Sequence, residues 1–220
     1  MPCFGLEAAY PGQQFVTDSQ SSLMRPSLQR IQRSTFSAIK AVLVLVGVIW
    51  IAEILNALVG HRLNVLGIYP RHIESIPGIL LWPLLHDGYG HLIMNTTPLL
   101  VMGFFVALRG VRTFIFSTVL ILTLGGLGVW LFGRSAFHIG ASGLVFGYFG
   151  FLVALAWFER SLLTFSIACL VLFYYGGIIF GILPRDEFVS WEGHLFGLLA
   201  GIAAANLFAR KPVKKSQKVH

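Results

Sequence analysis

Residues 139–158 read IGASGLVFGYFGFLVALAWF. These twenty positions carry no charged side chain, and about 20 apolar residues is what a helix needs to cross the hydrocarbon of a bilayer. The stretch opens on a small, polar cluster, Gly140-Ala141-Ser142-Gly143, before it turns apolar. It therefore reads as a membrane helix with a hydroxyl held in its first turn.

Five further stretches have the same character, at about 38–60, 91–108, 113–132, 162–182 and 189–209. The composition agrees: of 220 residues, 56% are hydrophobic and 11% charged, with a mean hydropathy of +0.78. A soluble domain carries about 25% charged residues. So little charge cannot cover a water-exposed surface, and the chain reads as an all-α, six-span membrane protein. The net charge of +7 then speaks for topology and contact with anionic lipid, not for nucleic acid. Two cysteines, Cys3 and Cys169, make no disulfide framework.

Lys and Arg accumulate on the cytoplasmic side of membrane proteins. Twelve of the 16 basic residues fall on the side of the N-terminus; Arg62, Arg71, Arg134 and Arg185 fall on the other. Both termini are thus expected in the cytoplasm. Residues 1–34 are polar and read as a flexible cytoplasmic tail, 35–210 as the membrane domain, and 211–220 as a basic cytoplasmic tail. Segment 61–90 mixes Leu and Ile with Pro70, Pro77, Gly78 and Pro83, which suits a structured outer loop better than a seventh span.

Three polar clusters interrupt the apolar background: His91-Leu-Ile-Met-Asn95, Gly140-Ala141-Ser142-Gly143, and Gly193-His194. The second, fourth and sixth spans all run inward, so the three clusters lie in one shallow outer layer. His91 and Asn95, four apart, share a helix face. Gly143/Gly147 and Gly193/Gly197/Gly201 form small-residue faces that let helix backbones approach closely. Close approach is what Ser142 needs if its hydroxyl is to meet His194 at about 2.6–3.2 Å. A serine is a weak nucleophile until a base takes its proton. Donors for a developing oxyanion are at hand in the Ser142 N–H, the Asn95 amide and the His91 ring. Glu192 lies on a different helix face from His194, so a dyad is expected. Glu53 and Asn56, deep in the first span, read either as an interior hydrogen-bonded pair or as part of a proton relay. His61, His72 and His138 read as interfacial.

G-x-S-G opening one membrane helix, G-H-x-x-G-x-x-x-G opening a later one and H-x-x-x-N opening an earlier one together resemble the rhomboid family. His86, five residues before His91, fits the same pattern, and the 51 residues between Ser142 and His194 hold one full span. The resemblance covers roughly 38–209. It implies a six-transmembrane-helix rhomboid-like bundle acting as an intramembrane serine protease. Ser142 would be the nucleophile, His194 the base and then acid, and His91 and Asn95 the oxyanion-hole donors. Gly140 would keep room for the substrate backbone. It implies transmembrane protein substrates and no metal or organic cofactor; oligomeric state stays open. Two departures stand out. A tyrosine that packs on the catalytic histidine in many relatives is Phe146 here, expected to stack equally well. The Trp-Arg pair of the first outer loop is missing, although Trp82 and Arg71 occur separately. Rhomboid-like proteins without activity can instead bind membrane clients, the alternative reading.

Overall fold

The computed structural model describes residues 12–184 and 189–210, with only the helical backbone for 12–30. The expected basic tail 211–220 and Arg185 lie outside the described residues. The chain divides into two units, Met1–Ser37 and Ala38–His220. Helix α1 spans Gly12–Leu58, so the segment expected as a tail, 1–34, overlaps its first turns. The second unit carries everything that follows.

Every regular element among the described residues is helical. After α1 come the single turn α2 (Gly78–Leu81), then α3 (Tyr89–Ala107), α4 (Val111–Phe132), α5 (Ser142–Glu159), α6 (Leu162–Tyr175) and α7 (Trp191–Phe208). A 3₁₀ segment, Gly176–Ile182, extends α6. Among the described residues, five helical segments are long and apolar enough to cross a membrane: Ile31–Leu58, α3, α4, α5 and Leu162–Ile182. The sequence predicts a sixth at 189–209. A helix of 18 residues stands there as α7, but Glu192, His194 and Asn206 dilute its apolar character, and it is not among the five.

Helix α5 is the core. Almost its whole length from Gly143 to Leu152 is buried, against α7 above all and also α6, α3 and α4. Its contact with α7 is backbone to backbone. A Cβ placed on Gly197 would stand 2.2 Å from the Gly143 carbonyl oxygen, and one on Gly201 would stand 1.9 Å from that of Gly147. The two small-residue faces thus meet each other, as their spacing predicts. The glycines of α4 also pack, with Gly125 against Gly197, Gly126 against Ile79 and Gly128 against Phe196. Ala38, Val42, Val46 and Ile49 give α1 one buried stripe, and the Trp50 indole donates to the Thr96 hydroxyl on α3 at 3.0 Å.

The outer segment between α1 and α3 is folded, with short helical turns at Arg62–Leu66, Ile73–Ser75 and Trp82–Leu84 around α2. Ile68 pairs with His138 by two backbone hydrogen bonds, of 3.1 and 2.8 Å. Trp82, fully buried, pushes its ring into the space that Gly143 and Gly193 leave open. The Arg71 guanidinium donates to the Gly133 carbonyl at 2.8 Å, satisfying an orphan carbonyl just past the end of α4. Trp82 and Arg71 therefore both anchor the loop, although they are not adjacent in sequence.

Candidate active site

The chain arrives at Ser142 through Gly140, whose φ of +111° suits glycine alone. The Gly140 N–H donates to the Trp82 carbonyl at 2.8 Å. The Ala141 N–H donates to His86 Nε2 at 3.2 Å. Ser142 is the first residue of α5, so its own N–H has no intrahelical acceptor. No other acceptor among the described residues takes it. The room left by the missing Gly140 side chain is filled by the His91 ring, 2.7 Å from where a Cβ would stand.

His194 lies in the first turn of α7, whose cap is Ser190, accepting the Gly193 N–H at 3.2 Å. This is the ordinary use of a serine at a helix start. His194 Nε2 is 2.9 Å from Ser142 Oγ, and Nδ1 is 2.8 Å from the Gly181 carbonyl oxygen. The carbonyl can only accept, so Nδ1 carries the proton and Nε2 is left with a lone pair facing the serine hydroxyl. Phe146, one turn beyond Ser142, stacks on the imidazole with centroids 4.1 Å apart and planes 5° from parallel. A Cβ on Gly181 would stand 3.0 Å from both His194 Nδ1 and the Phe146 ring. A glycine there lets the backbone come close enough to hold the ring.

His91 and Asn95 sit on one face of α3, as predicted. Neither is hydrogen-bonded to Ser142 or His194: the Asn95 amide donates to the His91 carbonyl at 3.2 Å, leaving its second N–H uncommitted. Glu192 turns away from His194, as its place on the helix predicts, and accepts the Arg134 N–H at 3.2 Å. Among the described residues no group of three or more His, Cys, Asp or Glu side chains is placed to hold a metal ion.

Some residues gain a place that sequence did not give them. The Gly181 carbonyl orients His194 where no carboxylate does. His138, read as interfacial, is buried: Nδ1 lies 2.6 Å from Ser190 Oγ and Nε2 is 3.2 Å from the Arg134 carbonyl. It joins the approach to α5 to the cap of α7, and burial pushes its pKa below the usual histidine value. His86 reaches the loop just before Ser142, where sequence ties it only to the second span. A Ser three residues before Gly193 was a legible cap signal; nothing local marks Gly181 or His138.

The chain is similar to known proteins. The Rhomboid domain model matches residues 75–211. An uncharacterized protein of Mycobacterium tuberculosis (strain ATCC 25618 / H37Rv) is 41% identical over 185 residues, covering 80% of this chain and 77% of that protein. One from Mycobacterium leprae (strain TN) is 38% identical over 185 residues, covering 80% and 73%. RHOMBOID-like protein 4 of Arabidopsis thaliana is 35% identical over 126 residues, covering 53% of this chain and 31% of that protein. The match spans more than half of the sequence and includes every residue of the Ser142–His194 cluster, and the chain is a multi-pass membrane protein of the rhomboid family.

Proposed function

We propose that the protein is an intramembrane serine endopeptidase that cuts membrane proteins in or near a transmembrane segment. The observation that carries this is the 2.9 Å contact between Ser142 Oγ and His194 Nε2, with the imidazole held from its other nitrogen and across its face. Ser142 Oγ attacks the scissile carbonyl carbon while its proton passes to His194 Nε2. Nδ1–H keeps its hydrogen bond to Gly181, so the imidazolium stays oriented. The oxyanion is received by the Ser142 N–H, with the Asn95 amide and the His91 ring approaching from α3. The tetrahedral intermediate collapses as His194 protonates the leaving amine. Water, activated by the same ring, then releases the acyl group from Ser142. Family membership and the apolar helices support membrane-protein clients, because the nucleophile sits at the mouth of a span. A helical substrate hides its carbonyls in hydrogen bonds, so segments with helix-weakening residues are favoured.

The reading includes six crossings, with α7 as the sixth. There Glu192 and His194 are buried where α7 packs on α4 and α5, so these two polar side chains are kept from lipid. Both termini are in the cytoplasm, and the site opens to the opposite side of a cell inner membrane. The test is cleavage of a single-span reporter by purified protein in liposomes, beside Ser142→Ala and His194→Ala. Cleavage by wild type alone is expected. Equal cleavage by all three assigns the activity elsewhere, and no cleavage by folded wild type across several reporters favours a protein that only binds its clients.

A further inference from the structure

Glu53 is a fully buried carboxylate in α1, and the catalytic steps above do not use it. Its partners are specific. Oε2 accepts the backbone N–H of His86 at 3.1 Å and the Asn56 amide at 3.2 Å. Oε1 meets His61 Nε2 at 3.1 Å. The other side of the same residue is held as well: the His86 carbonyl accepts the Asn64 amide at 3.2 Å and the Asn56 amide at 3.4 Å. Asn56 and Asn64 are tied to each other at 2.8 Å. A residue clamped through both its N–H and its C=O has little freedom to rotate its side chain away from its target. That target is the Ala141 N–H, the last peptide donor before the nucleophile.

We propose that Glu53, through Asn56, Asn64 and the peptide of His86, is a positioning residue for Ser142, fixing the Gly140–Ala141 turn that presents the hydroxyl to His194. The proposal rests on Ser142 being the nucleophile. Its chemistry explains three features at once. A buried carboxylate needs partners, and this one has three. His86 Nε2 must be a lone-pair acceptor to take an N–H, which requires a neutral ring; burial holds its pKa down at about 3, so the acceptor persists at working pH. The Gly140 and Ala141 donors are both consumed by the outer loop, which leaves the Ser142 N–H as the donor of that turn still open.

The experiment measures how fast Ser142 reacts with a fluorophosphonate probe. Its oxygen attacks phosphorus, fluoride leaves, and the hydroxyl proton passes to His194. Full-length protein in liposomes is compared as wild type, Glu53→Gln, Glu53→Leu, His86→Phe, the Glu53→Leu/His86→Phe double variant, and Ser142→Ala as blank. A misplaced reacting atom costs on the order of 100-fold per ångström. Glu53→Leu and His86→Phe are each expected to slow labelling by about 10- to 100-fold. Reporter cleavage should lose kcat with KM unchanged. Glu53→Gln keeps an oxygen for the His86 N–H and should recover most of the rate. The double variant should be no slower than the slower single one, because both act through one contact. If Glu53→Leu does not fold, as read by thermal melting, Asn64→Ala carries the same test with a smaller loss. Wild-type labelling at Ser142 with unchanged rates in the variants overturns the positioning role and leaves the protease reading intact. Losses that multiply in the double variant overturn it too, since they mean independent damage. Absent labelling of wild type, or equal labelling of Ser142→Ala, overturns both.

Discussion

Replacing Gly197 by alanine tests the link between helix packing and chemistry. The new Cβ would stand 2.2 Å from the Gly143 carbonyl oxygen, where contacts below 3.0 Å are essentially never seen. The two backbones must part by at least about 0.8 Å to relieve it. Retreat is hindered because Gly125 of α4 packs against Gly197. Ser142 neighbours Gly143, and His194 lies one turn from Gly197, so most of that displacement reaches the dyad. The 2.9 Å contact would open to roughly 3.7 Å, beyond hydrogen-bond reach. Overpacking of this kind costs about 1–3 kcal/mol in stability, and a displacement near 1 Å costs about 100-fold in rate. Reporter cleavage in liposomes, with melting followed on the same preparation, reads both. Gly47→Ala is the control, because nothing lies within 4 Å of the added carbon. Wild-type kcat in a folded Gly197→Ala protein would refute the claim that this glycine sets the distance between Ser142 and His194.

Asn95→Ala is expected to lower kcat by about 10²–10³, the usual cost of one oxyanion donor, with little change in KM; steady-state cleavage kinetics would show it. At the opposite end of the bundle, Glu159 holds Arg109 in a two-pronged ion pair and accepts the Arg210 N–H at 2.7 Å. Glu159→Ala leaves a mostly buried guanidinium without its partner and should cost about 3–5 kcal/mol, seen as a lower melting point, with catalysis in the surviving folded fraction unchanged. Acid should destabilise the fold through His86. Its folded pKa is about 3 against an ordinary 6.5, so below about pH 6.5 the unfolded chain binds a proton that the folded one refuses. Stability then falls with pH down to about 3, and buried His138 acts in the same direction. Melting points from pH 7 to 4 check the sign, and one that rises on acidification contradicts it.

Much of this was written locally. Runs of about twenty apolar residues announce membrane helices because a bilayer leaves no other way to satisfy a backbone. Ser142, His194, His91 and Asn95 stand out because polar side chains in such runs are costly. Glycines at intervals of four foretell which faces approach. Phe146, one turn from Ser142, could be placed on the histidine ring from helix periodicity once the resemblance supplied the role.

What sequence could not supply depends on contacts between distant segments. The Gly181 carbonyl orients His194, but every residue has a carbonyl, and only the path of the chain after α6 aims this one. Trp82 and Arg71 brace the outer loop from positions that share no motif, because burial and helix-end geometry chose their partners. His138 looks interfacial by its neighbours in sequence and is enclosed once Ser190 and Arg134 close around it. Glu53 was visible as a costly carboxylate, yet its tie to the loop before Ser142 runs through the peptide of His86, 33 residues away. Local periodicity thus determined which segments can cross a membrane and which polar residues interrupt them, while the packing of α5 and α7 and the folded outer loop decided what each of them touches.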